Sequence, residues 1–403
     1  MSKKGTFLEK LLKGVSVEWL PLGEYADYEQ PTRYLVKSNN YNSNYKIPVL
    51  TAGKTFILGY TDETDGIYKA SETPVIIFDD FTTANKWVDF DFKAKSSAMK
   101  MITSKDESKA SLKYIYYWMN TLPSDLVDGD HKRQWISNYA NKLIPIPCPE
   151  NPKKSIEIQQ KIVAILDTFS ELTAELTAEL TARKMQYSYY REKLYTFDKN
   201  KVQHLPMDDE SIGVFQRGKR FVKTDLIFEG VPTIHYGEMY THYGTWADKT
   251  ISFVSEKLVN DKNLRLAQKG DVVIVAAGET IEDIGMGTAW LGEEGVVIHD
   301  ACFSYKTSLN PKFVAYFTRT KQFHDQIKKH ISSGKISAIN ARGLGKALIP
   351  VPSKEEQERI VSILDKFDTL TTSISKGLPN EIELRKKQYE YYRDLLLTFP
   401  KDN

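Results

Sequence analysis

The sequence predicts an α+β protein in which two globular α/β domains alternate with two long helices, related by an internal pseudo-two-fold repeat. Two observations predict it: duplicated segments with helical spacing, and a mixed strand-and-helix pattern between them. The predicted boundaries, in chain order, are residues 1–150 for the first domain, 151–200 for the central helix, 201–352 for the second domain and 353–403 for the C-terminal helix.

The duplication is visible at three places along the chain. Residues 157–169 read EIQQKIVAILDTF and residues 355–367 read EEQERIVSILDKF, with eight of thirteen positions identical. Residues 186–197 (QYSYYREKLYTF) and 388–399 (QYEYYRDLLLTF) share eight of twelve. LIPIP before the first helix matches LIPVP before the second. Positions outside the apolar stripe match as well, so a shared coiled-coil composition does not explain the similarity.

Each duplicated segment has the apolar spacing of a long helix. In the first copy, apolar residues such as Ile158, Ile162 and Ile165 recur at steps of three or four. Each copy covers about 40–45 residues, or roughly 60–65 Å of helix. Such a stripe must be buried, and the other copy is the obvious partner. Because a large domain separates the copies, an antiparallel coiled coil is the simplest arrangement. Pro379 is expected to kink or break the second helix.

The centre of the first helix carries a tandem four-residue unit, ELTAELTAELTA, at residues 171–182. Its leucines step by four, so they drift around the helix and do not form a heptad seam. Two interpretations stay open: a good helix-forming spacer, or a molecular ruler. One unit more or less would change the helix length by about 6 Å. That length is on the scale of one to two base pairs of DNA.

The stretches between the long helices combine strands and shorter helices. PVIIF at 74–78 and DVVIVAA at 271–277 are typical of buried strands. LKYIYYWMNT at 112–121 and PKFVAYFTRT at 311–320 are predicted helices in matching places. The two domains are therefore predicted to share a fold but little sequence, which favours similar roles on different targets.

Composition excludes several classes of protein. The 403 residues are 41% hydrophobic and 27% charged, as in soluble globular proteins, with no apolar run of membrane-spanning length and no secretory signal. Cys148 and Cys302 make neither a disulfide framework nor a zinc site, which fits a reducing, cytoplasmic setting. With 55 basic and 53 acidic residues the net charge is +2. This excludes a polycation that binds DNA by bulk charge, but not local basic patches.

Enzyme and metal motifs are incomplete, so the sequence predicts no catalytic and no metal site. GVFQRGK at 213–219 has the spacing of a phosphate-binding loop, but Arg220 follows where Ser or Thr would hold magnesium. Asp79, Asp80 and Lys86 lack the second strand of a nuclease site. The histidines show no metal-ligand spacing.

This arrangement resembles the specificity subunits of type I restriction-modification systems over essentially the whole chain. The resemblance rests on LIPIP and LIPVP, on the helix starts QQKIVAILD and EQERIVSILD, and on the helix ends YYREKL and YYRDLL. The TAEL-type repeat is similar to that of the IC subclass. The resemblance implies two target recognition domains, each reading one half of an asymmetric bipartite site in double-stranded DNA. It also implies that the helix pair sets the gap and docks two methylation subunits.

The same resemblance implies a non-catalytic recognition subunit that directs adenine methylation and restriction by its partners. S-adenosylmethionine is expected in the methylation subunits, and ATP and Mg in restriction or motor subunits that join through the complex. None of these is expected in this chain, and no membrane partner is expected. Two other interpretations stay open: a coiled-coil scaffold that binds proteins through its globular domains, and a fused enzymatic chain, against which the missing motifs argue.

Polar and basic loops are the predicted DNA contacts, because Arg, Gln and Asn suit base edges and Lys suits phosphates. In the first domain the candidates are Lys54, Thr82, Thr83, Asn85, Lys86, His131, Lys132, Arg133 and Gln134. In the second domain they are Arg217, Lys219, Arg220, Ser333, Lys335, Asn340 and Arg342. For any one residue the alternative is an ordinary solvated side chain. Candidates for the helix-pair core or for partner docking are Tyr187, Tyr190, Tyr389 and Tyr392.

Overall fold

The computed structural model describes residues 7–53, 55–123 and 133–399. The chain divides into two compact units. Unit 1 runs to Leu176 and resumes at Ile382, and unit 2 is Thr177–Glu381. Each unit therefore contains a part of both duplicated segments. No helix in these described ranges is long and apolar enough to cross a membrane.

The helices vary in length from short single turns to the long helix that spans both units. In chain order they are α1 (Phe7–Leu11), α2 (Leu22–Tyr25), α3 (Leu112–Met119), α4 (Gln134–Ser137), α5 (Pro152–Leu194), α6 (Tyr236–Thr241), α7 (Glu256–Lys262), α8 (Pro311–Phe317), α9 (Lys321–Ile327), α10 (Ala341–Gly345), α11 (Lys354–Thr372) and α12 (Leu378–Leu397).

The strands are short; β1–β9 precede the long helix α5, and β10–β22 lie between α5 and α11. In chain order they are β1 (Val17–Pro21), β2 (Ala26–Glu29), β3 (Ile47–Leu50), β4 (Ile57–Thr61), β5 (Val75–Asp79), β6 (Asn85–Val88), β7 (Lys93–Ala94), β8 (Met99–Ser104), β9 (Leu143–Pro147), β10 (His204–Pro206), β11 (Gly213–Arg217), β12 (Val231–Ile234), β13 (Trp246–Ala247), β14 (Ser252–Val254), β15 (Leu266–Ala267), β16 (Val272–Val275), β17 (Ala277–Gly278), β18 (Gly287–Trp290), β19 (Val296–Ile298), β20 (Cys302–Thr307), β21 (Ser337–Ala338) and β22 (Leu348–Pro350).

Unit 1 builds its globular part from short sheets. Strands β2, β8, β5 and β6 form an antiparallel sheet in that order, and β4, β3 and β7 form a second sheet. Strand β1 pairs antiparallel with β9, the LIPIP segment that leads into the long helix. Strand β5 is buried along its whole length, which confirms the strand predicted at 74–78. The helix predicted at 112–121 is α3.

Unit 2 has the corresponding parts. Strands β11, β20, β16, β18 and β13 form one sheet, and β14, β12, β19 and β15 form another. Strand β10 pairs antiparallel with β22, the LIPVP segment, as β1 pairs with β9 in unit 1. Strand β16 is buried at every position, which confirms the strand predicted at 271–277. The helix predicted at 311–320 is α8.

The first duplicated segment forms one uninterrupted helix. Helix α5 has 43 residues, as the periodicity predicts, and it begins at Pro152. A proline fits there because the first backbone N–H groups of a helix have no intrahelical partner. The TAEL-type repeat lies inside α5, and the division between the two units falls within the repeat, at Leu176 and Thr177.

The second duplicated segment is broken into α11 and α12. The break falls between Thr372 and Leu378, which confirms the interruption predicted near Pro379. The proline itself occupies the first turn of α12, where its missing N–H costs little. A Cβ atom at Gly377 would collide with the carbonyl oxygen of Thr369, so a glycine is needed where the chain passes the end of α11.

A polar anchor joins the short helix of each domain to its long helix, and it is the same in both units. In unit 1 the Tyr117 hydroxyl donates to the Asp167 carboxylate, and Lys113 Nζ lies 3.3 Å from the same Asp167 Oδ1. In unit 2 the Tyr316 hydroxyl donates to Asp365 at 2.7 Å, and Lys312 Nζ lies 2.6 Å from Asp365. The duplication therefore extends from the long helices to α3 and α8.

A glutamine forms a second duplicated anchor. The Gln159 side-chain oxygen accepts a hydrogen bond from the backbone N–H of Ser111 at 2.9 Å, just before α3. Gln357 does the same for the N–H of Asn310 at 2.8 Å, just before α8. Both glutamines are buried, so each satisfies a backbone donor that would otherwise lack a partner. The position of each domain against its long helix is fixed by the same contacts.

Stacked aromatic rings join the two copies of the repeat, and each stacked pair takes one ring from each copy. In unit 1, Phe169 of α5 stacks on Tyr392 of α12 with ring centroids 5.1 Å apart. In unit 2, Tyr190 of α5 stacks on Phe367 of α11 at 5.6 Å. Phe169 and Phe367 are equivalent in the repeat, as are Tyr190 and Tyr392. The same ring pair is thus formed twice, each time with one ring from each copy.

We predict that the Asp365 anchor contributes measurably to stability. Replacing Asp365 with Ala leaves the buried Tyr316 hydroxyl without its acceptor, and this should lower the free energy of unfolding by about 1–3 kcal/mol. Urea unfolding followed by circular dichroism measures the change. Lys366→Ala, at the exposed neighbouring position of α11, is the matched control and should shift the free energy by less than about 0.5 kcal/mol. Equal midpoints for the two variants would contradict the prediction.

Candidate nucleic-acid interface

The first group of predicted contacts lies on the turn between β5 and β6. The Asp79 carboxylate accepts the backbone N–H groups of Phe81 at 2.9 Å and Thr82 at 3.1 Å, which fixes the turn. Thr83 adopts a left-handed conformation with φ of 62° and is buried. Thr82 and Lys86 are exposed, so the turn presents these two side chains to solvent. Asn85 is half-buried at the start of β6.

Asp80 joins this turn to the segment that precedes α4. Its Oδ1 accepts the backbone N–H of Trp135 at 2.9 Å, and its carbonyl oxygen accepts the N–H of Gln134 at 2.8 Å. Arg133 Nη1 lies 3.5 Å from Asp80 Oδ2. The sequence presents the 78–87 and 129–138 loops as separate candidates, and the structure brings their described parts together. Arg133 is exposed, whereas the Gln134 side chain is buried.

A buried lysine balances the Asp80 charge. Lys100 of β8 and Asp80 are both fully buried, with Nζ and Oδ2 3.4 Å apart. Lys100 Nζ also lies 4.7 Å from the centroid of the Tyr28 ring, a distance typical of a cation–π contact. Neither charged atom has a hydrogen bond among the described residues. This pair was missed by sequence reasoning; the available signal was a lysine inside the apolar strand MKMITS.

Exposed cations in unit 1 lie beside aromatic rings. The Arg133 guanidinium is 5.9 Å from the Phe81 ring centroid, and Lys86 Nζ is 5.3 Å from that of Phe56. These contacts hold both charged groups at the surface, where Arg133 also lies beside the Asp80 carboxylate. Three further candidates, Lys54, His131 and Lys132, lie outside the described residues.

The basic segment 215–221 of unit 2 is held in place by backbone contacts. Arg217 Nε donates to the Asp300 carbonyl oxygen at 3.0 Å, and Lys219 Nζ reaches the Lys262 carbonyl oxygen at 3.4 Å. A Cβ atom at Gly218 would collide with the backbone of His299, so glycine permits this close approach. Arg220 is exposed.

The 332–346 loop of unit 2 combines exposed and capping residues. Ser333 and Lys335 are exposed at its tip. The Asn340 side-chain oxygen accepts the backbone N–H of Gly343 at 2.8 Å and so caps α10, while Arg342 in the first turn of that helix is exposed. The loop therefore presents Lys335 and Arg342 to solvent and uses Asn340 to fix its own geometry.

A cleft of about 520 Å³ brings the two predicted segments of unit 2 together. Arg217, Arg220 and Lys223 border it from one side, and Ile336 of the 332–346 loop borders it from another. The pairing of β17 with β21 joins the loop to the wall of the cleft, with Ala277 opposite Ala338 and Gly278 opposite Ser337. Sequence reasoning identified the two segments but not the cleft between them.

Two histidines line this cleft in their neutral form. The rings of His235 and His299 are 4.9 Å apart. Burial lowers the pKa of His235 to about 4 and also lowers the pKa of His299. His299 Nδ1 accepts the N–H of Ala301 at 3.1 Å, so its Nε2–H donates to the Phe221 carbonyl oxygen at 3.0 Å. No group of histidine, cysteine or carboxylate side chains in the described ranges could hold a metal ion.

The predicted tyrosines all pack against aromatic rings within their own units, although Tyr190 is 36% exposed, and two unpredicted tyrosines are more exposed still. Tyr187 stacks on Phe367 at 6.0 Å, and Tyr389 lies 6.3 Å from Tyr117, each within its own unit. Their neighbours Tyr189 and Tyr391 are 58% and 65% exposed. Each exposed ring meets the following tyrosine edge-on at 5.4 Å. The duplication therefore presents the same exposed tyrosine twice.

A duplicated helical frame that carries two domains with different exposed cationic loops is the arrangement expected of a protein that contacts DNA through two domains. The family model for the type I restriction modification DNA specificity domain matches residues 16–183 and 210–384. The chain belongs to this family, and it is a specificity subunit of a type I restriction-modification system. The predicted family and fold class are both confirmed.

Individual relatives agree with the family. The chain is 51% identical to the specificity subunit of the type I restriction enzyme EcoR124I/EcoR124II of Escherichia coli, over 98% of each chain. In fold it is similar to the type I S subunit of M. genitalium, with a TM-score of 0.53, 16% identity and 97% and 98% of the two chains covered. It is also similar in fold to a chain from a study of type I R-M system assembly and conformational transition, with a TM-score of 0.57 and 16% identity. That similarity covers 94% of this chain and 97% of the other.

We predict that the Asp80 and Lys100 charges are coupled. Lys100→Met leaves a buried carboxylate without its main counter-charge and should lower the free energy of unfolding by about 3–5 kcal/mol. Adding Asp80→Asn removes the second charge while the amide oxygen still accepts from Trp135, so the double variant should regain most of that loss. Urea unfolding of both variants measures the coupling. Additive losses in the double variant would show that the two charges act independently.

Proposed function

We propose that each domain of this chain reads one half of an asymmetric bipartite DNA site and that the length of α5 sets the unread gap. The observation that carries the proposal is the duplicated set of anchors, which holds two domains in the same way while their exposed loops differ. In unit 1 those loops present Thr82, Lys86 and Arg133, and in unit 2 they present Arg220, Lys335 and Arg342. Different loops on equivalent frames favour two different half-sites.

The exposed side chains suit both parts of DNA recognition. A guanidinium can donate two parallel hydrogen bonds to the O6 and N7 atoms of guanine in the major groove, which assigns base reading to arginines such as Arg133 and Arg342. Lysines such as Lys86 and Lys335 suit phosphate oxygens, which position the protein without specifying sequence. Asp80 would set the orientation of the first group through its bonds to the turn and to the Trp135 segment.

The proposed partners follow from the same duplication. Two methylation subunits would dock on the paired helices, at equivalent sites marked by the exposed rings of Tyr189 and Tyr391. These subunits would bring S-adenosylmethionine, and restriction or motor subunits joining the complex would bring ATP and Mg. The chain itself would be non-catalytic, directing adenine methylation and cleavage by its partners in the cytoplasm. The four segments with boundaries at residues 150, 200 and 352 would serve as reader, spacer, reader and docking helix.

The experiment that tests this function is a methylome. The chain is expressed with its methylation subunits in a host without DNA methylation, and N6-methyladenine is located by sequencing. We expect one bipartite motif with a fixed gap. A soluble complex with active methylation subunits that produces no such motif would refute the recognition function and favour a protein-binding scaffold.

Deleting one TAEL unit from α5 sharpens the same experiment. The helix should shorten by about 6 Å and rotate by about 40° at the deletion. The gap in the methylated motif should then shrink by about one or two base pairs while both half-sites stay the same. A control that replaces one unit with four other helix-forming residues should keep the original gap. A changed half-site, or an unchanged gap after the deletion, would contradict the spacer role.

A further inference from the structure

We propose that the cleft of unit 2 receives one unstacked nucleotide of the second half-site and that Ile336 fills the space its base leaves in the duplex. The inference rests on the proposed function and adds a specific mode of reading to it. Three properties of the cleft carry the inference: aromatic rings in its lining, a border on which three cations outnumber two carboxylates, and an exposed aliphatic side chain at its edge.

The interior of the cleft suits a base. Phe221, His235, Tyr236 and His299 line it, with neighbouring ring centroids 4.6–6.0 Å apart. Both histidines are neutral at pH 7, because burial lowers the pKa of each ring. The Phe221 carbonyl oxygen lies 3.0 Å from His299 Nε2, and the Ala301 nitrogen and Asp300 Oδ1 lie 3.1 and 3.0 Å from Nδ1, so both ring nitrogens have partners and the ring offers its face to a base. Neutral aromatic rings bind the face of a base by stacking, whereas they do not attract a phosphate group.

The border of the cleft suits the phosphates on either side of that base. Arg217, Arg220 and Lys223 lie along it and are all exposed. The hydrogen bond from Arg217 Nε to the Asp300 carbonyl oxygen fixes the orientation of the Arg217 guanidinium. Glu279 and Asp300 line the cleft as well, so its three cations outnumber two carboxylates. An excess of cations beside aromatic rings matches a nucleotide, whose charge lies on its backbone and whose base is neutral.

Ile336 supplies the third element. It is 62% exposed at the edge of the cleft, directly after Lys335 at the tip of a polar loop. The next residues pair with β17 in the cleft wall, so the position of Ile336 relative to the cleft is fixed. Proteins that unstack DNA insert isolated aliphatic side chains of this kind between base steps, and enzymes that extrude a base hold it in an aromatic pocket. In unit 2 such a wedge and such a pocket lie side by side.

Fluorescence of base analogues tests the proposal. The chain is assembled with its methylation subunits on DNA carrying its bipartite site, with 2-aminopurine or pyrrolocytosine at one position of the second half-site at a time. We expect a several-fold rise in fluorescence at one position besides the methylated adenine, which the methylation subunit itself extrudes. Ile336→Ala should abolish that rise and weaken binding, because the methyl group of alanine is too short to fill the space that the extruded base leaves in the duplex.

Two further variants make the result specific. Ile336→Phe keeps a wedge and should retain the rise. Ile374→Ala is the matched control, since Ile374 is 85% exposed in the same unit but does not line the cleft, and it should change neither fluorescence nor affinity. The signal at the methylated adenine should persist in every variant, which shows that each complex remains assembled.

Other outcomes would overturn the proposal without affecting the proposed function. No additional fluorescent position, or a rise that Ile336→Ala leaves intact, would mean that the half-site is read within the stacked duplex, while the bipartite methylome remains. Binding of free deoxynucleoside monophosphates in isothermal titration, without any fluorescence rise in DNA, would identify the cleft as a site for a free nucleotide. Loss of the methylated motif in the wild-type complex would instead refute the proposed function.

Discussion

Phe169 stacks on Tyr392 in unit 1, and Phe367 stacks on Tyr190 in unit 2. This exchanged pairing meets the constraint on which the rest of the fold depends, because a long helix with one apolar stripe must cover that stripe. Each part of α5 covers it with a part of the other copy. The pairing also returns the C-terminal helix to unit 1, where Leu396, Leu397 and Phe399 complete the core around Ile162. The anchors to α3 and α8 then place each domain on its helix.

The polar anchors differ from the aromatic pairs in what they fix. The rings contribute mainly buried apolar area, which is insensitive to small displacements along the helix. The bonds of Asp167 and Asp365 to a tyrosine and a lysine have defined directions and therefore fix the register of each domain. A protein that reads DNA bases needs this second property, because a displacement of about one ångström moves a side chain away from the edge of a base.

The parts of the structure that the sequence predicts are those determined locally. The repeat, the long helices, the break near Pro379 and the buried strand β5 all follow from residue spacing along short stretches. The Asp80–Lys100 pair does not, because it depends on the register of β5 against β8, which sets Phe78 opposite Lys100. The cleft of unit 2 is harder still. It requires residues 217–223, 277–279, 299–301 and 336 to converge, and no local pattern contains that information.

The candidate contacts show the same limit. Pattern reading selects polar and basic loops but does not separate side chains that face solvent from those that support the loop. Arg133 and Lys335 are exposed, whereas Thr83 and Gln134 are buried and Asn340 caps a helix. The difference lies in backbone conformation and tertiary hydrogen bonds, such as those that Asp80 makes across 55 positions of sequence.

The duplicated anchors have a consequence for inheritance. Gln159 and Gln357 accept hydrogen bonds from equivalent backbone N–H groups, and Asp167 and Asp365 accept them from equivalent tyrosines. A foreign domain would therefore need only a short helix like α3 or α8 to fit either long helix. The repeated segments also give the gene two similar stretches, at which recombination can replace everything between them. A crossover in each stretch would therefore exchange the second domain and change the DNA specificity of the chain, while the anchors that receive a domain stay as they were.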